Sequence, residues 1–386
     1  MSAPTSRRNE SLDVLRCLAV LLVVGFHLPY YNLWGRLGWI GVDLFFVLSG
    51  FLISGLLFQE YKNTGSIKLK RFLIRRGLKI YPSFYLLMAM TLVLSFFDHS
   101  PSLRNQSIIS SVFALGYYTG TPHAIVAHTW SIAVEEHFYV LLPLLLLLLI
   151  ARAPKRDPFR AIPVLFCILV VVSFTFRWFT LPSTIDARMT HMRVDSLFAG
   201  VTLGYLYHFR RTFFDKLTGH YALGLAFLAC IPAALLPQRN HTMQTFGLTG
   251  LLLGFSFLVA WAVVRTPKSS LARALAKPAA AIGFYSYSIY LWHTALLYLF
   301  IDRPAHPFLV FWTYVAVCIA VGIAMSHLVE VPYLALRDRI FPAPESAVRL
   351  SPTPVDAKGP ASPNARLESS QATRSFAEVS PDSSTV

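Results

Sequence analysis

Charge is what this chain has least of. Only 14% of its 386 residues are Asp, Glu, Lys or Arg, where a soluble domain carries roughly a quarter. With 55% hydrophobic residues and a mean hydropathy of +0.54, that shortage excludes both a soluble globular enzyme and a disordered chain. Cysteine is scarce as well. Cys17, Cys167, Cys230 and Cys318 each lie alone in an apolar run, with no C-x-x-C pair. This excludes a secreted disulfide scaffold and a cysteine metal site, and reads as thiols buried in lipid-facing or packed helices. No internal repeat is visible, so support for an inverted-repeat transporter is missing. No A-x-A-like cleavage site follows the first apolar run, so that run is expected to remain in the mature protein. What the chain does have is apolar length. Several stretches reach about 20 residues, the length of a bilayer-spanning helix. The fold class expected is all-α, a polytopic transmembrane helical bundle.

The apolar segments fall at 12–30, 39–58, 80–97, 131–151, 161–180, 191–209, 220–236, 244–264, 281–300 and 307–331. Ten spans with the N-terminus in the cytoplasm put 23 Lys and Arg on the cytoplasmic side and five (Arg36, Arg104, Arg188, Arg239, Arg303) on the other. That is the positive-inside bias. It accounts for the net charge of +15 without nucleic acid, and places both termini in the cytoplasm. Residues 107–128 do not fit the alternation. Their apolar patch is too short to span, so a re-entrant outer loop over a cavity is expected. The expected domains are an N-terminus of residues 1–11, a transmembrane domain of 12–340 and a Ser/Pro/Ala-rich disordered cytoplasmic tail of 343–386.

Ionisable groups inside such spans are costly and functional by default. Arg16 and His27 lie eleven residues apart. That is about three turns, on one helix face and about 16 Å apart along the axis; the bland alternative is a snorkelling Arg and a packed His. Asp43 needs a partner, with His27 or Arg193 at similar depth. Arg75, Arg76 and Lys79 abut the third span, with Pro82 opening its helix. They serve either as topology signal or as a phosphate-holding cluster. His128, Trp130, Ser131, Glu135 and Glu136 crowd the outer end of the fourth span. Ser131 and Glu135 share a face there, and helix capping is the alternative. Arg193 and Asp195 point to different faces, so they are not simply each other's partner. His293 sits among aromatics. Glu330 is available to the basic loop or to Arg16. By depth, His27, Asp43, Glu135, Arg193, Asp195 and His293 form an outer group. Arg16, Arg75, Arg76, Lys79 and Glu330 form a cytoplasmic one.

These residues resemble the acyltransferase-3 family of integral membrane acyltransferases from residue 11 to about 340. Its R-x10-H motif is similar to Arg16 and His27, its GVDLFFVLSGFLI stretch to residues 41–53, and its R-x-x-R-I-x-P motif to Arg76–Pro82. W-S-L-x-x-E corresponds to Trp130, Ser131 and Glu135, R-x-D-x-L-x-x-G to Arg193–Gly200, and S-Y-S-x-Y-L-x-H to residues 286–293. Two positions depart. Lys79 stands for the second arginine, keeping charge but not the bidentate fork, and Ile132 stands for leucine. The tail is too short for the hydrolase-like domain some members carry, so the reaction is expected to finish in the membrane domain.

The resemblance implies transfer of an acyl group, acetyl above all, from cytoplasmic acyl-coenzyme A to a hydroxyl of a sugar or cell-surface glycan in a bacterial inner membrane. His27 would be the general base, its ring oriented by Glu135 or Asp43, with His293 the next candidate. Arg16, Arg75, Arg76 and Lys79 would hold the coenzyme A phosphates, and Trp130, Ser131, Arg193 and Asp195 the acceptor. No permanently bound cofactor and no metal are expected. The partners are acyl-coenzyme A, the glycan or lipid-linked sugar and membrane lipid. The alternative is a proton-coupled transporter or flippase, since the same groups build proton relays. A non-catalytic scaffold would leave the buried charges unexplained.

Overall fold

The computed structural model describes residues 9–28, 33–97, 105, 125–153, 157–180, 187–267, 269–297, 299–300 and 306–342. They lie in one compact unit, residues 1–350. Most of the expected re-entrant segment 107–128, and the 343–386 tail, lie outside the described residues.

The described chain is helical, with no strand. The principal helices are α1 (Glu10–His27), α2 (Gly41–Thr64), α3 (Leu69–Phe97), α4 (Trp130–Arg152), α5 (Ile162–Thr180) and α6 (Thr190–Phe209). They continue with α7 (Tyr221–Leu235), α8 (Leu248–Val263), α9 (Ser270–Phe284), α10 (Ser286–Leu297), α11 (Pro307–Met325) and α12 (Val331–Ile340). A π turn, Met243–Gly247, leads into α8, and another, Ser326–Glu330, joins α11 to α12. Among the described residues, six stretches are long and apolar enough to cross a membrane: Trp34–Thr64, Leu69–Phe97, Ala127–Arg152, Ile162–Thr180, Met243–Val263 and Pro307–Ile340. On α5 the side chains of Val164, Ile168, Val171, Phe176 and Phe179 stand exposed. Apolar surface of that extent suits lipid, not water.

Two boundaries differ from the sequence expectation. Pro82 does not open a helix; it lies inside α3, which starts at Leu69. Membrane helices tolerate an interior proline where neighbours satisfy the disturbed backbone. The Tyr287 hydroxyl donates to the Ile80 carbonyl, two residues before Pro82, at 2.8 Å and ties this stretch of α3 to α10. The apolar segment 281–300 is broken at Tyr285, between α9 and α10. Gly283 presses on α1, where a Cβ would come 1.8 Å from the Asp13 carbonyl oxygen.

The centre of the bundle is the α2–α6 crossing. A Cβ on Gly50 would meet the Leu197 carbonyl oxygen at 1.9 Å, and one on Gly200 the Val47 oxygen at 2.2 Å. Interlocked glycines let two backbones touch without a hydrophobic driving force between helices. This crossing brings the charged groups of α2 and α6 together.

Candidate active site

Two buried ion pairs frame the site. Arg193 of α6 bonds Asp43 in the first turn of α2 at 2.7 Å. Arg177 of α5, fully buried, bonds Asp195 at 2.8 Å, the Met192 carbonyl at 2.8 Å and the Thr249 hydroxyl at 3.0 Å. A buried charge is tolerated only when paired and hydrogen-bonded in this way. The Arg193 guanidinium also lies 5.6 Å from the Phe46 ring centre and 5.5 Å from that of Trp130, a cation–π sandwich. Arg193 is thereby held facing a cavity at the His27 end of α1, termed the outer cavity.

His27, His128, Trp39, Trp130, Arg188, Gln238, Gln244 and Tyr290 also line that cavity. Hydrogen bonds assign the tautomers of its histidines. His27 Nδ1 lies 2.9 Å from the Val23 carbonyl, which only accepts, so Nδ1 carries the proton. His293 Nδ1 lies 2.5 Å from the Tyr290 carbonyl and carries its proton likewise. His293 Nε2 is then a bare acceptor, 3.2 Å from His27 Nδ1. His27 is left with a free lone pair on Nε2, on the ring that lines the cavity. His293 sits behind it, fully buried. In Gln244 the side-chain oxygen accepts the Ala187 N–H at 3.0 Å, which leaves its amide group as a pair of donors.

A second cavity, termed the inner one, lies toward the Arg16 end of α1 and is lined by Arg16, Arg76, Lys79, Ser49, Ser131, Glu135, Tyr139, Ser286 and Tyr287 among others. Three cations face one carboxylate there. Glu135 accepts from the Tyr139 hydroxyl at 2.7 Å, and Arg76 lies 5.5 Å from the Tyr139 ring centre. Arg16 is paired with Asp13 at 3.0 Å. Among the described residues no group of three or more His, Cys, Asp or Glu is arranged to hold a metal ion.

Several sequence expectations move. Neither Glu135 nor Asp43 touches His27; the Val23 carbonyl and His293 orient that ring, because Asp43 is committed to Arg193. Glu135 belongs to the inner cavity. It lies five residues past Trp130, about 7.5 Å further along α4. Arg75 lines neither cavity. It is turned about 100° from Arg76 on α3 and bonds Asp338 at 3.1 Å and the Phe341 carbonyl. The end of α12 offers the unpaired carbonyls that attract cations there. Asp195 also lines neither cavity, being held by Arg177. Glu330 accepts from Ser288 of α10 instead of pairing with Arg16. Trp130 and Arg193 face the outer cavity, and Ser131 the inner one. Arg177 was not singled out in the sequence, although an arginine in the apolar run SFTFRWF carries the same signal as Arg16.

A family model described as an acyltransferase domain matches residues 9–328. Among curated sequences, the peptidoglycan O-acetyltransferase OatA of Listeria monocytogenes is 30% identical over 311 residues, 74% of this chain and 49% of that protein. The putative O-acetyltransferase SAS0844 of Staphylococcus aureus is 30% identical over 312 residues, 75% of this chain and 51% of that one. The O-acetyltransferase OatA of Staphylococcus aureus is 27% identical over 308 residues, with 75% and 51% covered. The chain thus spans about half the length of the curated relatives it matches. No solved structure matches. The apolar helices, the buried pairs and the family match together make this chain an integral membrane protein that belongs to the acyltransferase-3 family.

Proposed function

We propose that this protein is a membrane O-acyltransferase, moving an acyl group, acetyl first among them, from cytoplasmic acyl-coenzyme A to a hydroxyl of a cell-surface glycan. Two neighbouring cavities that share Val42 and Tyr290 in their linings support this above all. The inner one is lined by Arg16, Arg76 and Lys79, suited to an anionic donor, and the outer one by His27. The protein would lie in the cytoplasmic membrane with both termini in the cytoplasm, as the charge bias favours.

The chemistry is a single acyl transfer. The acceptor oxygen attacks the thioester carbonyl carbon while His27 Nε2 takes its proton. The imidazolium that forms is stabilised by the Val23 carbonyl and by the lone pair of His293 Nε2. The tetrahedral intermediate collapses, the C–S bond breaks, and the sulfur leaves with the proton returned from His27. The products are the O-acyl ester and free coenzyme A. In the outer cavity Trp39 and Trp130 offer apolar faces, with Arg188, Arg193, Gln238 and Gln244 as polar partners, a combination that suits a sugar ring. A glycan acceptor also agrees with the Listeria relative's name.

Mass spectrometry of surface glycans from strains with and without the protein tests this. A mass difference of one acyl group is expected. Identical glycans, with no coenzyme A released by membranes containing the protein, would refute it and favour a transporter.

A further inference from the structure

The two cavities divide the bundle along its axis. On α1, Val23, Phe26 and His27 face the outer cavity and Arg16 the inner. On α4, Trp130 faces the outer and Ser131, Ile132, Glu135 and Tyr139 the inner. On α2, the inner cavity runs from Val42 down to Ile53, about 16 Å at helical rise. Among the described residues, only Val42 and Tyr290 line both. They stand where the chambers meet.

Both sides of this junction are fixed. The Tyr290 hydroxyl donates to the His128 carbonyl at 2.8 Å and lies 2.6 Å from the Ser131 hydroxyl. Its ring is flanked edge-on by Phe45 at 6.1 Å and by His128 at 5.4 Å. Opposite, Val42 follows Gly41, where a Cβ would come 2.4 Å from the Ala19 carbonyl oxygen of α1. With Gly50 and Gly200 also in close backbone contact, α2 is packed tightly against α1 and α6. Widening the junction therefore requires a change of side chain.

We propose that Val42 and Tyr290 form the constriction that limits the size of the acyl group transferred, a role that presupposes the acyl transfer proposed above. The donor enters among the cations of the inner cavity, and the base stands in the outer one. The thioester carbonyl must therefore come to the junction, and each methylene added to the acyl chain must be accommodated beside these two side chains. A hydrophobic site discriminates about 10- to 200-fold per methylene. A short acyl group passes, and longer ones are rejected by bulk.

The test uses inverted membrane vesicles from the native host, which carry the native acceptor and expose the cytoplasmic face. Acetyl-, propionyl- and butyryl-coenzyme A are supplied separately, and coenzyme A release is read after subtracting vesicles with His27→Ala. Wild-type rates should fall about tenfold or more with each methylene. Val42→Ala should raise the butyryl-to-acetyl ratio about tenfold, and Val42→Ile should lower the propionyl-to-acetyl ratio. Tyr290→Phe, which keeps the ring and frees it from its anchors, should relax the ratio in the same direction as Val42→Ala. Ratios do not depend on how much variant folds. Normal acetyl turnover with unchanged ratios in all three variants would overturn the constriction alone. No His27-dependent release from any donor in the wild type would overturn acyl transfer, and the constriction with it.

Discussion

His27 and His293 touch, yet they should fail very differently. Their hydrogen bonds assign an unprotonated Nε2 to His27, whose ring lines the outer cavity, and a supporting acceptor to His293. His27→Ala removes the base, which typically costs about 10²- to 10⁴-fold in rate. His293→Ala removes only the acceptor behind it. A neutral hydrogen bond contributes roughly 0.5–1.5 kcal/mol, and one to a charged group roughly 1.5–3 kcal/mol. The difference, about 1–1.5 kcal/mol, is the part gained when His27 becomes an imidazolium, and it corresponds to about tenfold in rate. His293→Gln can offer a carbonyl oxygen in place of Nε2 and should recover most of that tenfold. The assay pairs acyl transfer in inverted vesicles with acyl-coenzyme A binding to purified protein, at matched amounts of folded protein. Donor binding should change little in all three variants. If His293→Ala falls as far as His27→Ala and His293→Gln does not recover, the two roles have been assigned the wrong way round.

The buried pairs and the cationic end make further expectations. Arg177→Met leaves Asp195 buried without its partner, a change worth about 3–5 kcal/mol. It should sharply reduce folded protein by size-exclusion chromatography, and the double change Arg177→Leu with Asp195→Leu should recover much of it. Arg76→Ala should raise the KM for acyl-coenzyme A about tenfold or more, the worth of a charged hydrogen bond. Arg75→Ala should leave that KM within about twofold and lower the Tm, because its partners are Asp338 and the end of α12; equal KM effects would refute the distinction. Reporter fusions after Phe97 and Pro237 should be external, and those after Lys70, Lys268 and Ser351 internal. An external C-terminus would overturn that topology.

Much of this site was legible because charge is rare in apolar helices, so each buried ionisable residue stands out in the sequence. Asp43, Arg193 and Asp195 are conspicuous for that reason. Their partners are not, because pairing depends on where helices cross. Asp43 meets Arg193 rather than His27 because Gly50 and Gly200 bring α2 against α6. Adjacent arginines show the same limit. Helical geometry separates Arg75 from Arg76 by about 100°, but which of them faces the cavity is decided by α12, some 260 residues later in the chain. Glu135 was misplaced by depth for a related reason. Its motif neighbours Trp130 and Ser131 straddle the junction, so one motif serves both chambers. Val42 and Tyr290 fall inside two of the family motifs, yet nothing in those motifs marks them as neighbours. A valine and a tyrosine in apolar helices carry no chemical signal, and a cavity belongs to the space between helices rather than to any one of them. Their importance becomes visible only when the linings of two chambers are compared and found to share these two side chains.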